Sequence, residues 1–259
     1  MAHRSSGIAV GAIKLTKVAK EHLLANGERL RVLDNITFEL ADHSFTSILG
    51  PSGCGKSTIL NLIAGLDNHS SGEISIDGNR IGFVFQQPRL LNWRTVAGNV
   101  ILPLEGQPFE KAAARALAGK YLELVGLAGH EDYYPLQLSG GMQQRVAIAR
   151  ALAIDPDILL MDEPFSGLDE ITARKLRQEL IRIWQETGKT ILFVTHSISE
   201  SVFLSQQVLI VSAKPATIFK RIPIDVPYPR EYGDLHLFDI ETRLTRDFLG
   251  MEIREIRGQ

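Results

Sequence analysis

The chain has 259 residues, 44% of them hydrophobic and 22% charged, with a formal net charge of -2. That length allows one large domain with a substantial core, or a domain carrying an inserted lobe. The lack of a basic excess argues against nucleic-acid binding as the main activity, and the single cysteine, Cys54, excludes an intramolecular disulfide and a cysteine metal cluster.

Residues 1–11 are small and polar and read as a flexible N-terminus. The short apolar run before Lys14 makes a poor signal peptide. No stretch reaches the roughly 18 uninterrupted apolar residues that span a bilayer, so a membrane role is expected to go through a partner. From Ile13 the pattern predicts short strands: IKLTKVAKEH, a turn-rich LLANGERL, then VLDNITFEL with Val32, Ile36, Phe38 and Leu40 roughly on one face. SFTSILG reads as a buried strand ending in a glycine loop, and Ile59, Leu60, Ile63 and Leu66 have helical spacing behind it. GEISIDG reads as another strand. IGFVFQ (Ile81 to Gln86) is a near-continuous apolar run, as expected at the centre of a covered sheet.

After Gln87-Pro88 the character changes. Glu110 to Val125 and Met142 to Ala153 have helical periodicity, and a helical lobe is expected at about 88–155. The α/β body resumes with DILLMDEP, a helix from Ile171 to Glu186, the strand TILFVTH and the strand VLIVSA. Lys214 to Arg230 holds Pro215, Pro223, Pro227 and Pro229 and is expected to be extended on the surface. A final helix is predicted from Leu235 to Leu249. The expected organisation is one domain over 12–250, with a proline-rich and helical C-terminal extension over 214–259.

Three motifs carry chemistry. Gly50-Pro51-Ser52-Gly53-Cys54-Gly55-Lys56-Ser57, followed by Thr58, matches the phosphate-loop pattern between a strand and a helix. Its glycines let backbone N–H groups turn inward on oxyanions, and the helix start adds its positive end. Lys56 is then expected on the β- and γ-phosphates of a nucleotide and Ser57 on magnesium. Asp162 and Glu163 follow the apolar run Ile158 to Met161, so a buried strand delivers two carboxylates at its C-terminal end. Asp162 is expected to hold magnesium through water, and Glu163 to act on the attacking water as general base. Ser139, Gly140 and Gly141 open a helix and offer a second anion-facing surface. Each element has a plainer reading when alone: a glycine turn, a surface acidic pair, a helix cap.

Taken in order, these elements resemble the ATP-binding subunit of an ABC transporter, from about Ile13 to Leu249. The set is the phosphate loop (50–58), Gln86 after a strand, LSGG (138–141), LLMDEP (159–164), SGLD (166–169) and His196 after an apolar strand. The resemblance implies a phosphate-loop NTPase of ABC-cassette type, with a mixed sheet core, an antiparallel β subdomain and an inserted helical lobe. It implies ATP and Mg2+ as cofactors. It gives Gln86 a role at magnesium and the attacking water and in signalling to a membrane partner. It places His196 on the γ-phosphate and Asp169 at the contact between subunits. Where the family usually carries an aromatic residue that stacks on adenine, this chain has His22. Where it usually has a glycine before SFTSILG, this chain has His43.

One phosphate loop and one LSGG element imply two copies of the chain, head to tail, each LSGG closing on ATP held by the other. Membrane permease subunits and an external substrate-binding protein complete the implied system, with this chain at the cytoplasmic face of the membrane. QQPRLLNW offers Leu90, Leu91 and Trp93 to a short helix of the permease. FVFQQPRLLNW and VLIVSAKPATIFKRIPIDVP further resemble the nitrate/sulfonate/taurine importer group. The alternatives are a soluble ABC ATPase outside transport, and a cassette for another importer substrate. Co-purification of a multi-spanning membrane chain would favour transport, and nucleic-acid-stimulated ATPase the soluble reading.

Overall fold

The computed structural model describes residues 12–78, 80–106 and 110–257, with side chains through 251; the expected flexible N-terminus, 1–11, lies outside them. Two sheets organise the chain. The first pairs β1 (Ile13–Leu23) with β2 (Arg29–Leu40) on one side and β4 (Ser71–Ile76) on the other, all antiparallel. The second contains β3 (Phe45–Leu49), β5 (Ile81–Val84), β6 (Ile158–Asp162), β7 (Thr190–Thr195), β8 (Gln207–Val211) and β9 (Ile218–Pro223), in the order β5-β6-β7-β3-β8-β9. All its neighbours are parallel except β8 and β9.

The period-2 geometry of a strand decides how this sheet is covered. Ile158, Leu160, Leu192, Val194, Leu209 and Val211 point to one face, where they meet Ile59 and Leu60 of α1 (Lys56–Ile63) and the apolar residues of β1 and β2. Leu159, Met161, Ile191, Phe193, Val208 and Ile210 point to the other, into the core that also holds α5 (Glu170–Thr187) and α6 (Ile198–Leu204). Both faces are therefore dry, which is why β6 and β7 read as unbroken apolar runs.

Between β5 and β6 the chain builds α2 (Val96–Ile101), α3 (Lys111–Leu124) and α4 (Gly140–Leu152), which pack on one another. Buried Asn99 fixes the turn ahead of α2: its Nδ2 donates to the carbonyls of Leu91 (3.1 Å) and Thr95 (3.0 Å), while its Oδ1 accepts from the Leu91 N–H at 2.8 Å. Arg150, near the end of α4, donates to the Pro88 carbonyl at 2.6 Å and the Arg89 carbonyl at 2.9 Å. The helix that starts at the LSGG element is thus bonded to the segment just after Gln86.

Three expectations are corrected. IGFVFQ is not central: β5 is an edge strand, covered on its face by α4, whose Ala151 carbonyl would stand 2.7 Å from a Cβ placed on Gly82. The segment 214–230 is not merely extended on the surface. Residues 218–223 form β9 against β8, and Ala216, Ile224 and Arg230 are buried. The final helix, α7 (Leu235–Arg257), runs past Leu249 and packs Leu237, Ile240, Leu244 and Met251 into the core. His43 has φ +58, in the left-handed region that favours glycine, and its N–H donates to Thr190 Oγ1 at 2.9 Å.

Candidate functional site

The phosphate loop, residues 50–55, leaves the C-terminal end of β3 and enters α1. Its shape depends on glycine in two ways. Gly55 has φ +120, and a Cβ there would stand 2.9 Å from Leu33 and 3.0 Å from Val32; a Cβ on Gly50 would meet Val211 at 2.4 Å. Cys54 turns its side chain down into the core at 2% exposure, so only its backbone faces the loop's concavity, and burial pushes its thiol pKa up. Lys56 is buried and its Nζ donates to the carbonyls of Gly50 and Pro51, both at 2.9 Å.

The register of the sheet brings the remaining groups to this loop. Leu49 pairs with Thr195, Asp162 with Val194, and Val84 with Met161. The C-terminal ends of β5, β6, β7 and β3 therefore lie side by side, and the residues that follow them meet at one edge. Ser57 Oγ donates to Asp162 Oδ1 at 3.0 Å. Glu163 Oε1 lies 3.6 Å from Lys56 Nζ. Glu163 Oε2 is 3.0 Å from His196 Nδ1 and accepts from Gln86 Nε2 at 3.5 Å. Burial raises the pKa of Asp162, with the hydroxyl of Ser57 opposing it. The backbone of Glu163 sits at φ +40, held by its N–H on the Val194 carbonyl at 3.0 Å and by Ser166 Oγ on its own carbonyl at 2.9 Å. A non-glycine residue held in that region by bonds at both peptide groups marks a side chain whose aim is fixed.

A cavity of about 430 Å³ opens over these groups, lined by Ser52, Gly53, Gly55, Lys56, Ser57, Thr58, Gln86 and Glu163. Its other wall comes from the antiparallel sheet: exposed His22, with its cross-strand neighbour Leu30, and Val32. Lys214 completes the rim. Sequence reasoning missed Lys214, because the proline-rich segment around it gives no local hint that it folds back on the phosphate loop. The set fits a magnesium–nucleotide pair. Among the described residues no group of three or more His, Cys, Asp or Glu could hold a metal by itself. A hydroxyl and one half-buried carboxylate, as at Ser57 and Asp162, suit a cation that takes its other ligands from phosphates and water.

Ser139, Gly140, Gly141 and Asp169 do not line this cavity. Ser139 caps α4, its Oγ accepting from the Met142 N–H at 3.3 Å, and Asp169 caps α5, its Oδ1 accepting from the Thr172 N–H at 3.0 Å. The bonds from Thr172 hold the Asp169 carboxyl below the usual carboxylate value. The two helix starts touch: a Cβ on Gly141 would lie 2.5 Å from Thr172 Cγ2. Gly141→Ala is therefore expected to cost about 1–3 kcal/mol by overpacking. Thr172→Ser, which removes Cγ2 and keeps the hydroxyl, should return most of it; chemical denaturation of the two singles and the double variant measures the coupling.

The family model for ABC transporters matches residues 33–166. The aliphatic sulfonates import ATP-binding protein of Bacillus cereus is 42% identical over 243 residues, covering 91% of this chain and 95% of that protein. The taurine import ATP-binding protein of Rhizobium johnstonii is 44% identical over 206 residues, covering 77% and 79%. Among solved structures, a dimeric post-hydrolysis state of an ATP-binding cassette bound to ADP and Pi superposes with a TM-score of 0.75 at 35% identity, over 83% of this chain and 100% of that one.

Proposed function

This chain belongs to the ABC transporter family as an ATP-binding and ATP-hydrolysing subunit of an importer, and from that premise we propose that the cargo it powers is a small sulfonate. The carrying observation is that the phosphate loop, Gln86 and Glu163 line one cavity at four adjacent strand ends, with Asp162 bonded to Ser57 and His196 to Glu163. The cargo reading is supported by the names of the two import relatives, since alkanesulfonates and taurine share the sulfonate group. The cargo passes through partner subunits and not through this chain.

The residues divide the work as follows. The N–H groups of residues 50–55 and the start of α1 cradle the phosphates, and Lys56 leaves its two carbonyls to follow them. Ser57 and Asp162 hold magnesium, which offsets charge on the phosphates when bound. Glu163 accepts the proton of the attacking water, and Gln86 and His196 fix its carboxylate. His22 and Leu30 offer a shallow platform to the base, imidazole giving less stacking area than tyrosine. Ser139, Gly140, Gly141 and Asp169 lie outside the lining of their own cavity and serve the cavity of a second copy, arranged head to tail. ATP then gains donors from both chains only in the closed pair, and that differential binding drives closure.

No helix among the described residues is long and apolar enough to cross a membrane. The importer reading places the chain on the cytoplasmic face through permease subunits, which receive cargo from an external binding protein. The permease meets a groove of about 390 Å³ lined by Phe83, Phe85, Arg89, Leu102, Pro103 and Arg150, beside the Gln86 segment. Leu90 packs into the core, whereas Trp93 is 75% exposed on the turn fixed by Asn99. Trp93→Ala is expected to lower coupled uptake at least about tenfold and to leave the ATPase of the isolated chain unchanged. Equal loss of both activities would count against this surface. Reconstitution with the permease and binding protein tests the whole: ATP-dependent uptake of an alkanesulfonate or taurine supports it, and uptake of nitrate alone removes the sulfonate cargo.

A further inference from the structure

Two lysines line the nucleotide cavity, and they are in opposite situations. Lys56 is 5% exposed and engaged with two carbonyls and Glu163. Lys214 is exposed, and among the described residues no hydrogen bond or ion pair engages it. Its position is nonetheless well fixed. The turn between β8 and β9 closes on itself, with the Ser212 N–H on the Thr217 carbonyl at 3.1 Å and the Thr217 N–H on Ser212 Oγ at 2.9 Å. The same turn is stitched to β2: the Ala216 N–H donates to the Val32 carbonyl and the Asp34 N–H to the Ala216 carbonyl, both at 2.9 Å. Val32 in turn lies against Gly55 of the phosphate loop. Lys214 thus stands where the wall carrying His22, Leu30 and Val32 meets the phosphate loop, a cation on a rigid mount at the seam between the base and phosphate ends.

We propose that Lys214 is a nucleotide-affinity residue whose ammonium group pairs with the phosphate nearest the ribose. This rests on the ATP site assigned above and extends it. A positive charge with no internal partner pays little to leave for an anion, and at the mouth of a cavity it also steers one inward. It reaches no reacting atom, because the γ-phosphate end is held by Lys56, Ser57 and Glu163 on the far side of the loop. Its contribution is therefore the same in the ground and transition states, and appears in KM rather than kcat.

The test is calorimetric titration of ATP and of ADP into the full chain and its Lys214→Ala and Lys214→Arg variants at two salt concentrations, with steady-state ATPase beside it. Lys214→Ala is expected to bind both nucleotides about 5- to 20-fold more weakly, with KM raised by a similar factor and kcat within about twofold. Lys214→Arg should restore affinity, and the gap should narrow at high salt. Unchanged affinity in Lys214→Ala overturns the proposal. So does a loss confined to ATP, or one that arginine does not restore. A wild-type chain that bound no ATP would instead remove the site reading itself, which keeps the two failures apart.

Discussion

Glu163→Gln is expected to bind ATP with nearly unchanged affinity while hydrolysis falls about 10²- to 10⁴-fold. The substitution keeps the size of the side chain and all the backbone bonds that fix it: the N–H on Val194, the carbonyl on Ser166, and φ +40. It removes only the proton acceptor between His196 and Lys56. Because ATP then persists, the closed pair of chains should accumulate in Mg-ATP. Single-turnover hydrolysis and size-exclusion chromatography read the two effects separately. Hydrolysis within about tenfold of wild type would remove Glu163 as general base. A variant that stays monomeric at saturating Mg-ATP would remove the shared-site arrangement.

Arg230→Met should produce the largest loss of stability in the C-terminal part of the chain. Arg230 is 4% exposed and acts as a hub of five carbonyls. It donates to Val202 at 2.7 Å, Phe203 at 3.1 Å, Ser205 at 2.9 Å, Ile224 at 3.3 Å and Val226 at 2.8 Å. Burial lowers its pKa, yet the bonds and the face of the Tyr228 ring, 4.1 Å away, hold it in place. Tyr228 is half-buried beside it, its hydroxyl donating to the Leu204 carbonyl at 2.6 Å and its pKa pushed up to about 12 by desolvation. Methionine fills the volume but leaves several buried carbonyls without donors, at about 1–3 kcal/mol each. A total loss above about 3 kcal/mol, read as a melting-temperature drop of roughly 6–12 °C, is expected. A drop under about 2 °C would mean that water replaces the guanidinium without strain.

The parts of this fold that were legible in the sequence are those whose physics is local. The strands Phe45–Leu49, Ile158–Asp162 and Thr190–Thr195 are buried on both faces, so apolar residues stand side by side in each instead of alternating. The phosphate loop announces itself because glycine at 50 and 55 is a steric necessity. Glu163 and His196 follow such strands, Gln86 follows the edge strand β5, and the sheet register then brings the three together. What escaped depends on distant contacts. The apolar run of β5 reported that one face meets α4 and the other the core under β1 and β2, not that it lies at the sheet's edge. β9 sets Lys220 and Arg221 side by side at its centre, which breaks the period-2 alternation of Ile218, Phe219 and Ile222, and it follows Pro215 and ends on Pro223, so it resembles a loop until β8 pairs with it. Lys214 acquires meaning only when Ala216 docks on β2.

The placement of Cys54 has a bearing on redox chemistry. The chain's one thiol lies at the centre of its nucleotide cradle, where a thiolate would invite oxidation, metal capture or mixed disulfides. Turned under the loop and kept protonated by its apolar surroundings, it behaves as a small hydrocarbon plug beside Leu60 and Val211. The folded chain is therefore expected to react slowly with thiol-specific oxidants and alkylators, although sulfur sits within the very loop that grips the fuel.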